Sequence, residues 1–420
     1  MEYIEKNIKD GIRLHTINTD KFKTNLIAIF LTTKLDRKEI TKNALISAVL
    51  RRGTNNMKTQ EEISKKLEEL YGASFDNGVD KTGDNQVLKF YIESINDNFL
   101  PHKGEKMLEK SIENIFDIVC NPLMENNAFK KEYVEQEKKN MKQRIEGRTD
   151  NKARYALDRC IEEMYKGSEF SLYKFGYVED LEEINEINLY EQYKKLIKEC
   201  KIDIFISGNL DANIQQIIEN NNFIKNMNAR NPQYNFKGEE TTEKAGEIIE
   251  KMDVTQGKIV IGMNVNSGNV KGKYKALVYN NILGGSANSK LFQNVREKAN
   301  LAYVASSSYF KFKDAIFINC GIEISNYEKA LDVIKTQIND MKEGKFTQED
   351  LKNAKKSIIS VINTIDDEQD TGIAYCFGQE ISGNKTTVEE YIRRVENVTM
   401  EDVLEIAKKV EINTIYFLRN

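Results

Sequence analysis

The sequence predicts an α+β protein of two homologous domains, each a largely antiparallel sheet packed with helices. Three observations carry that prediction. The chain has 420 residues, more than one ordinary core accommodates at ~100–200 residues per domain. A stretch of its first half recurs in its second. Within each half, hairpin-linked strands group apart from long helices, the arrangement of an antiparallel sheet with helices segregated to one side.

The elements follow in order. IEKNIKDGIRLHTI carries an Asp10-Gly11 hairpin signal between two alternating runs. NLIAIFL, with Leu26 to Leu31 as a continuous apolar run, reads as a buried strand. A helix over about 42–52 places Ala44, Leu45, Ala48 and Val49 on one face and stops at Gly53. Thr59 with Glu62 three residues on predicts a capping box. The helix it starts turns Ile63, Leu67, Leu70 and Tyr71 to one side and ends at Gly72, with Tyr71 expected to pack in the core. VLKFYIES alternates with period two, as a half-buried strand does, and long helices are expected from about 103 to 166. Each half closes on a helix and an apolar strand, at 187–206 and 398–417, with Asn188 and Thr399 as the expected caps.

Residues 44–76 laid over 276–308 at an offset of 232 give nine identities in thirty-three positions without a gap, where average usage would give about two. The closing helix and strand align at an offset of 211 instead, so the first half carries 21 extra residues. The expected division is a first domain over 1–223, a linker over 224–246 and a second domain over 247–420. Periodicity is lost in KNMNARNPQYNFKGEETTEKAG, where Asn, Pro, Gly and charge gather.

Composition narrows the function. Forty per cent hydrophobic residues, 30% charged and a net charge of −4 with interleaved signs argue against a nucleic acid or an anionic membrane as main partner, since both require a basic face. The opening MEYIEKNIKDG has no apolar core of the signal-peptide kind, and no apolar run near it approaches the ~20 residues of a membrane span. Five scattered cysteines without a Cys-x-x-Cys pair fit a reducing compartment, and the expected location is the cytoplasm. His15 and His102 are the only histidines. Each stands apart from any second His or Cys and is expected to be structural, so no metal site is expected in this chain.

The run GGSANSKLFQNVREKANLAYVASSSY at 284–309 closely resembles the segment of the insulinase/pitrilysin family of zinc metallopeptidases that carries its paired Arg and Tyr. The doubled α+β halves and total length resemble the two-domain, mitochondrial-processing-peptidase-like members. The resemblance covers essentially the whole chain and implies a fold in which the two domains form half of a clamshell. Active members carry His-x-x-Glu-His on the first helix of the first half, a few residues before a Gly-Thr. Counted back from Gly53-Thr54, that motif falls on Ala44, Ser47 and Ala48. Two alanines and a serine supply neither the imidazoles that hold zinc nor the carboxylate that takes a proton from zinc-bound water. The family's further glutamate ligand falls at Glu137 of YVEQEKKNM, expected, with its metal partners gone, to be a charge on a solvated face.

The resemblance therefore implies that Arg296 and Tyr303 are substrate-binding residues serving a metal this chain does not own. It implies a non-catalytic subunit, inactive alone, acting on peptides or unfolded segments beside a homologous zinc-bearing subunit. An alternative stays open: a peptide-binding or scaffold protein of the same fold that has left proteolysis altogether. A peptidase with a different metal site has little to stand on, because isolated histidines and scattered cysteines leave no ligand set.

Overall fold

The structure is a computed structural model that describes residues 2–102, 104–232, 234 and 244–420. The strands, in chain order, are β1 (Glu2–Lys9), β2 (Ile12–Asn18), β3 (Thr24–Lys34), β4 (Ser74–Thr82), β5 (Asn85–Ile95), a short hairpin of β6 (Met124–Glu125) and β7 (Ala128–Phe129), and β8 (Lys201–Gly208). Then come β9 (Gly246–Lys251), β10 (Gly257–Asn264), β11 (Ala302–Phe310), β12 (Ala315–Ile322) and β13 (Glu411–Arg419). The helices are α1 (Ile40–Leu50), α2 (Gln60–Glu69), α3 (Met107–Cys120), α4 (Lys131–Glu146), α5 (Lys152–Met164), α6 (Asp180–Glu183), α7 (Glu186–Glu199), α8 (Ile214–Asn220) and α9 (Asn222–Asn226). They continue with α10 (Val270–Leu283), α11 (Tyr327–Lys342), α12 (Gln348–Asn363), α13 (Gln369–Ser382), α14 (Val388–Glu396) and α15 (Met400–Lys409).

Two compact units result. The first comprises Met1–Gly147, Leu172–Phe236 and Asp366–Ile381; the second comprises Arg148–Ser171, Lys237–Ile365 and Ser382–Asn420. The units therefore do not coincide with the two sequence halves. Each takes in a helix from the other half: α13 belongs to the first unit and α5 to the second.

The first sheet runs β1-β2-β8-β3-β5-β4 and the second β11-β12-β10-β13-β9. Read from opposite ends, β2-β8-β3-β5-β4 and β9-β13-β10-β12-β11 are one strand order. Among the described residues, the only parallel pair in each is at the same place, β2 with β8 and β9 with β13, among otherwise antiparallel neighbours. The expected antiparallel α+β architecture is present in both units.

Burial explains the unbroken apolar runs. In β3, Ile27, Ile29 and Leu31 enter the main core of the first unit with Leu45, Val49 and Phe116. Phe30 faces the other way, edge-on to Phe377 of α13 at 4.9 Å between ring centroids. A strand covered on both faces loses the period-two alternation of a half-solvated one. In the second unit, Ile259 and Ile261 join the core beneath α10 and α11, whereas Val260 turns to Ala156, Cys160 and Met164 of α5. At Gly262 a Cβ would lie 2.6 Å from Met164 Sδ, so the glycine permits the close approach of α5.

Local signals fold largely as read, with three corrections. The Asp10-Gly11 hairpin joins β1 to β2, Gly11 taking φ +77°. Thr59 caps α2 by accepting from the Glu62 N–H at 3.1 Å, but the Glu62 carboxylate reaches back to the Lys58 N–H, not to Thr59. Thr399 caps α15 as expected, yet the cap of α7 is Asn185, and Asn188 is its reciprocal partner one turn in. Tyr71 does not pack in the core: it adopts φ +57° at the end of α2 and is 47% exposed. Part of the linker expected over 224–246, at 233 and 235–243, lies outside the described residues. Its first residues are tied down, Ile224 buried and Lys9 Nζ donating to the carbonyls of Ile224 and Met227 at 2.7 Å each. Among the described residues no helix is long and apolar enough to cross a membrane.

Candidate functional site

The helix face that would hold a metal is α1, buried on nearly every side because residues Ile40 to Leu50 offer almost no charge. Ala44 and Ser47 are 1% and 2% exposed, and Ala48 is partly buried. In place of a general base, Ser47 accepts from the Asn77 amide of β4, through its carbonyl at 2.7 Å and its hydroxyl at 3.0 Å. Glu137 departs from the expectation of a solvated charge. It is buried on α4, accepts from Asn140 Nδ2 at 3.1 Å and lies 3.6 Å from Arg52 Nε, one helical turn beyond Ala48. Its charge is balanced by a guanidinium. Among the described residues no three His, Cys, Asp or Glu side chains gather as a metal ligand set.

The corresponding region of the second unit is built differently. Where α2 is an ordinary helix, Phe292–Lys298 forms a π-helix, a wide turn that is uncommon and concentrates at functional sites. Asn294 Nδ2 anchors it to Gln337 of α11 at 2.6 Å, and the chain leaves it through Asn300 at φ +51°. Arg296 lies on its outer side, exposed, with its guanidinium 4.7 Å from the Phe292 ring and 3.5 Å from the adjacent Glu297 carboxylate.

Tyr303 occupies a β-bulge. In the pairing of β11 with β12, Ala302 faces Ile322 and Val304 faces Gly321, so Tyr303 is the extra residue without a partner. A bulge re-aims a side chain. Tyr303 is 62% exposed and Val304 55%, on an edge strand. The Tyr303 hydroxyl has no hydrogen-bond partner among the described residues. No hydrogen bond or ion pair joins Arg296 to Tyr303; each is presented separately from the junction of the π-helix and β11. The loop before them is pressed onto β11: a Cβ on Gly284 would lie 2.7 Å from the Ser307 nitrogen, which donates to the Gly284 carbonyl at 2.8 Å. Neither the π-helix nor the bulge was expected from the sequence. A signal existed only in the paired copy, where the same offset had to carry Tyr71 at a helix end and Tyr303 inside a strand.

The two histidines are placed far from any metal geometry. His102 is exposed. His15 is fully buried, stacked on Phe205 and held between the Tyr3 hydroxyl at 2.8 Å and Asp203 at 2.9 Å. The chain continues through Lys201, 2.7 Å from Asp203 and 2.8 Å from Glu380 of α13, to Arg13, 2.5 Å from Glu380. Burial alone would raise the Asp203 carboxyl, but the His15 hydrogen bond and the Lys201 charge outweigh it and hold that carboxyl below the usual aspartate range. The sequence alone marks His15 as structural but not its partner Asp203, which lies 188 residues further along the chain.

These features define a class: a peptidase-type scaffold of two α+β units in which the metal-bearing helix face has been filled by alanine and serine. The comparisons agree. A model described as the peptidase M16 inactive domain matches residues 184–358. The Bacillus subtilis protein called "Probable inactive metalloprotease YmfF" is 34% identical over 425 residues, covering 100% of this chain and 99% of that one. A crystal structure of a conserved protein from Enterococcus faecalis V583 superposes with a TM-score of 0.89 at 27% identity, covering 100% and 99% of the two chains. A structure described as a peptidase M16 inactive domain from Pseudomonas fluorescens shares the fold, with a TM-score of 0.79 at 17% identity over 100% and 98%. The chain belongs to the M16, or insulinase/pitrilysin, family of zinc metallopeptidase homologues, as a non-catalytic member without the His-x-x-Glu-His motif.

Proposed function

We propose that this chain is the substrate-binding, non-catalytic subunit of a heterodimeric zinc metallopeptidase that acts on peptides or unfolded segments. Arg296 and Tyr303 bind the substrate backbone at the zinc site of a homologous partner subunit. The zinc belongs to that partner, and this chain contributes no metal ligand and is inactive alone. The observation that carries the reading is Tyr303, lifted out of the β11 ladder by a bulge and 62% exposed with an unengaged hydroxyl. A phenol and a guanidinium are donors suited to the charge that develops on a peptide carbonyl oxygen under attack.

The shared strand order of the two sheets supports reading the chain as an internal duplication, with one copy having lost a metal face and the other having kept the donor pair. Five cysteines, all free, support a reducing, cytoplasmic compartment. The test is reconstitution: the purified chain is mixed with an M16 homologue that carries the zinc motif, and cleavage of an unstructured fluorogenic peptide is followed. Zinc-dependent cleavage is expected only from the mixture. Arg296→Ala and Tyr303→Phe should each lower kcat about 10²–10³-fold, the effect of removing one oxyanion donor. Cleavage unaffected by both substitutions would refute the role of the pair and leave the scaffold reading.

A further inference from the structure

The helices before the two matching tyrosines start in step and end out of step. At the offset of 232, Phe292 of the π-helix lies over Gln60, the first residue of α2. Each helix closes on an N–H that donates to a carbonyl six residues back, Ala73 to Leu67 at 3.0 Å in the first copy and Leu301 to Val295 at 3.1 Å in the second. The residue before each donor is left-handed, Gly72 at φ +75° and Asn300 at φ +51°. Leu301, however, lies over Glu69, four residues before Ala73, so the second helix ends about one α-helical turn earlier. Strand β11 then begins at Ala302, over Leu70, whereas β4 begins only at Ser74. That early close puts Tyr303 in a strand where Tyr71 is still at a helix end.

The early close has a local cause and a tertiary one. Locally, an asparagine at 300 tolerates the left-handed region, whereas the residue over Gly72 is Val304, whose branched Cβ does not. The tertiary cause supports the π-helix, which at seven residues is longer than the usual single wide turn. Val295 is fully buried in the core of the second unit. Asn294 beside it turns to α11 and donates from Nδ2 to Gln337 Oε1 at 2.6 Å, with Gln337 only 7% exposed. In the first copy the position under Asn294 is Glu62, whose carboxylate accepts from the Lys58 N–H at 2.7 Å and so serves the start of its own helix.

We propose that Asn294 and Gln337 are positioning residues for Arg296 and Tyr303. Their hydrogen bond fixes the π-helix, and through its early close it sets where the guanidinium is presented and where Tyr303 enters β11. Asn294 and Arg296 flank the buried Val295, and Val295 supplies the closing carbonyl, so one anchor acts on both members of the pair. The consequence for substrate rests on the function proposed above; the anchoring of the segment does not.

The experiment applies two readouts to Asn294→Ala, to Gln337→Ala and to the exchanged pair, Asn294→Gln with Gln337→Asn, which keeps the combined reach of the two amides. Hydrogen exchange of the isolated full chain, followed by mass spectrometry, should be at least about fivefold faster over 299–304 in each single variant, because a buried amide loses its partner, and should return to the wild-type rate in the exchanged pair. In the mixture with a zinc-bearing homologue, each single variant should lower kcat about tenfold with KM changed less than about twofold, since the pair donates to charge that develops in the transition state. Unchanged exchange over 299–304 in both single variants would overturn the anchoring. A wild-type mixture that cleaves, with both single variants matching its kcat, would overturn the positioning. Failure of the exchanged pair to recover either readout would assign the losses to packing and overturn the role of the hydrogen bond. A wild-type mixture that does not cleave counts against the proposed heterodimer instead, and the exchange rates then decide the anchoring by themselves.

Discussion

Tyr71 and Tyr303 stand at matching places in the two copies of one thirty-three-residue pattern, and the backbone gives them different geometries. Tyr71 ends a helix in the left-handed region, whereas Tyr303 is the unpaired residue of a bulge. Glu137 makes a related point, since a carboxylate in a Lys/Glu-rich helix turns inward and meets Arg52. The most buried ionic residue of the first unit is Asp203, at 0% exposure between His15 and Lys201. Its folded-state carboxyl titrates below the ordinary 3.8. Its contribution to stability is therefore fully present above that ordinary value and is lost as pH falls through the lowered one. Acid unfolding of the wild type should begin below about pH 4, and Asp203→Asn should lose that limb while costing about 3–5 kcal/mol at neutral pH, because Lys201 and His15 lose a buried counterpart. Urea unfolding at pH 7 and at a series of pH values from 4 downward, followed by circular dichroism, measures both; equal stability of variant and wild type at pH 7 would refute the network's role.

At the scale of elements, the two exchanged helices matter most. Helix α13 comes from the second half of the sequence yet completes the first unit, with Phe377 between Phe30 and Phe205 and Gln369 donating to the Ser207 carbonyl at 2.8 Å. Phe377→Ala should destabilise the first unit by about 3–5 kcal/mol, the cost of deleting a buried ring. In hydrogen exchange the lost protection is expected in β3 and β8, more than 150 residues away in sequence, and a loss confined to α13 and its sequence neighbours would contradict the packing. Much of each unit was legible beforehand. The Asp10-Gly11 hairpin, the cap at Thr59, the alternation in VLKFYIES and the closing helix and strand are local signals, settled within a turn or two of chain. The assignment of α5 and α13 was not legible. An amphipathic helix specifies that it needs an apolar face to cover, not which sheet supplies it. The π-helix was hidden for a similar reason: 292–298 reads as helix by composition, and its widening is held by Asn294 on Gln337, a contact 43 residues away.

For the whole molecule, the loss at 44, 47 and 48 has a metal consequence. Because two of those positions are 1% and 2% exposed and carry no ligand atoms for zinc, chain incubated with zinc and then desalted should retain well under one equivalent, by plasma emission spectrometry. Stoichiometric zinc in the isolated chain would overturn the division of labour proposed for the two subunits. The sequence alone determined the α+β class, the doubled pattern, the missing motif and the identity of the Arg296 and Tyr303 candidates, because periodicity, capping residues and side-chain chemistry are properties of short stretches. Only the tertiary structure decided which helix covers which sheet, that Glu137 is balanced by Arg52, and that a bulge exposes Tyr303. Each of those depends on side chains far apart in the chain sharing one low-dielectric space, where packing and unpaired charge, not local propensity, set the energy.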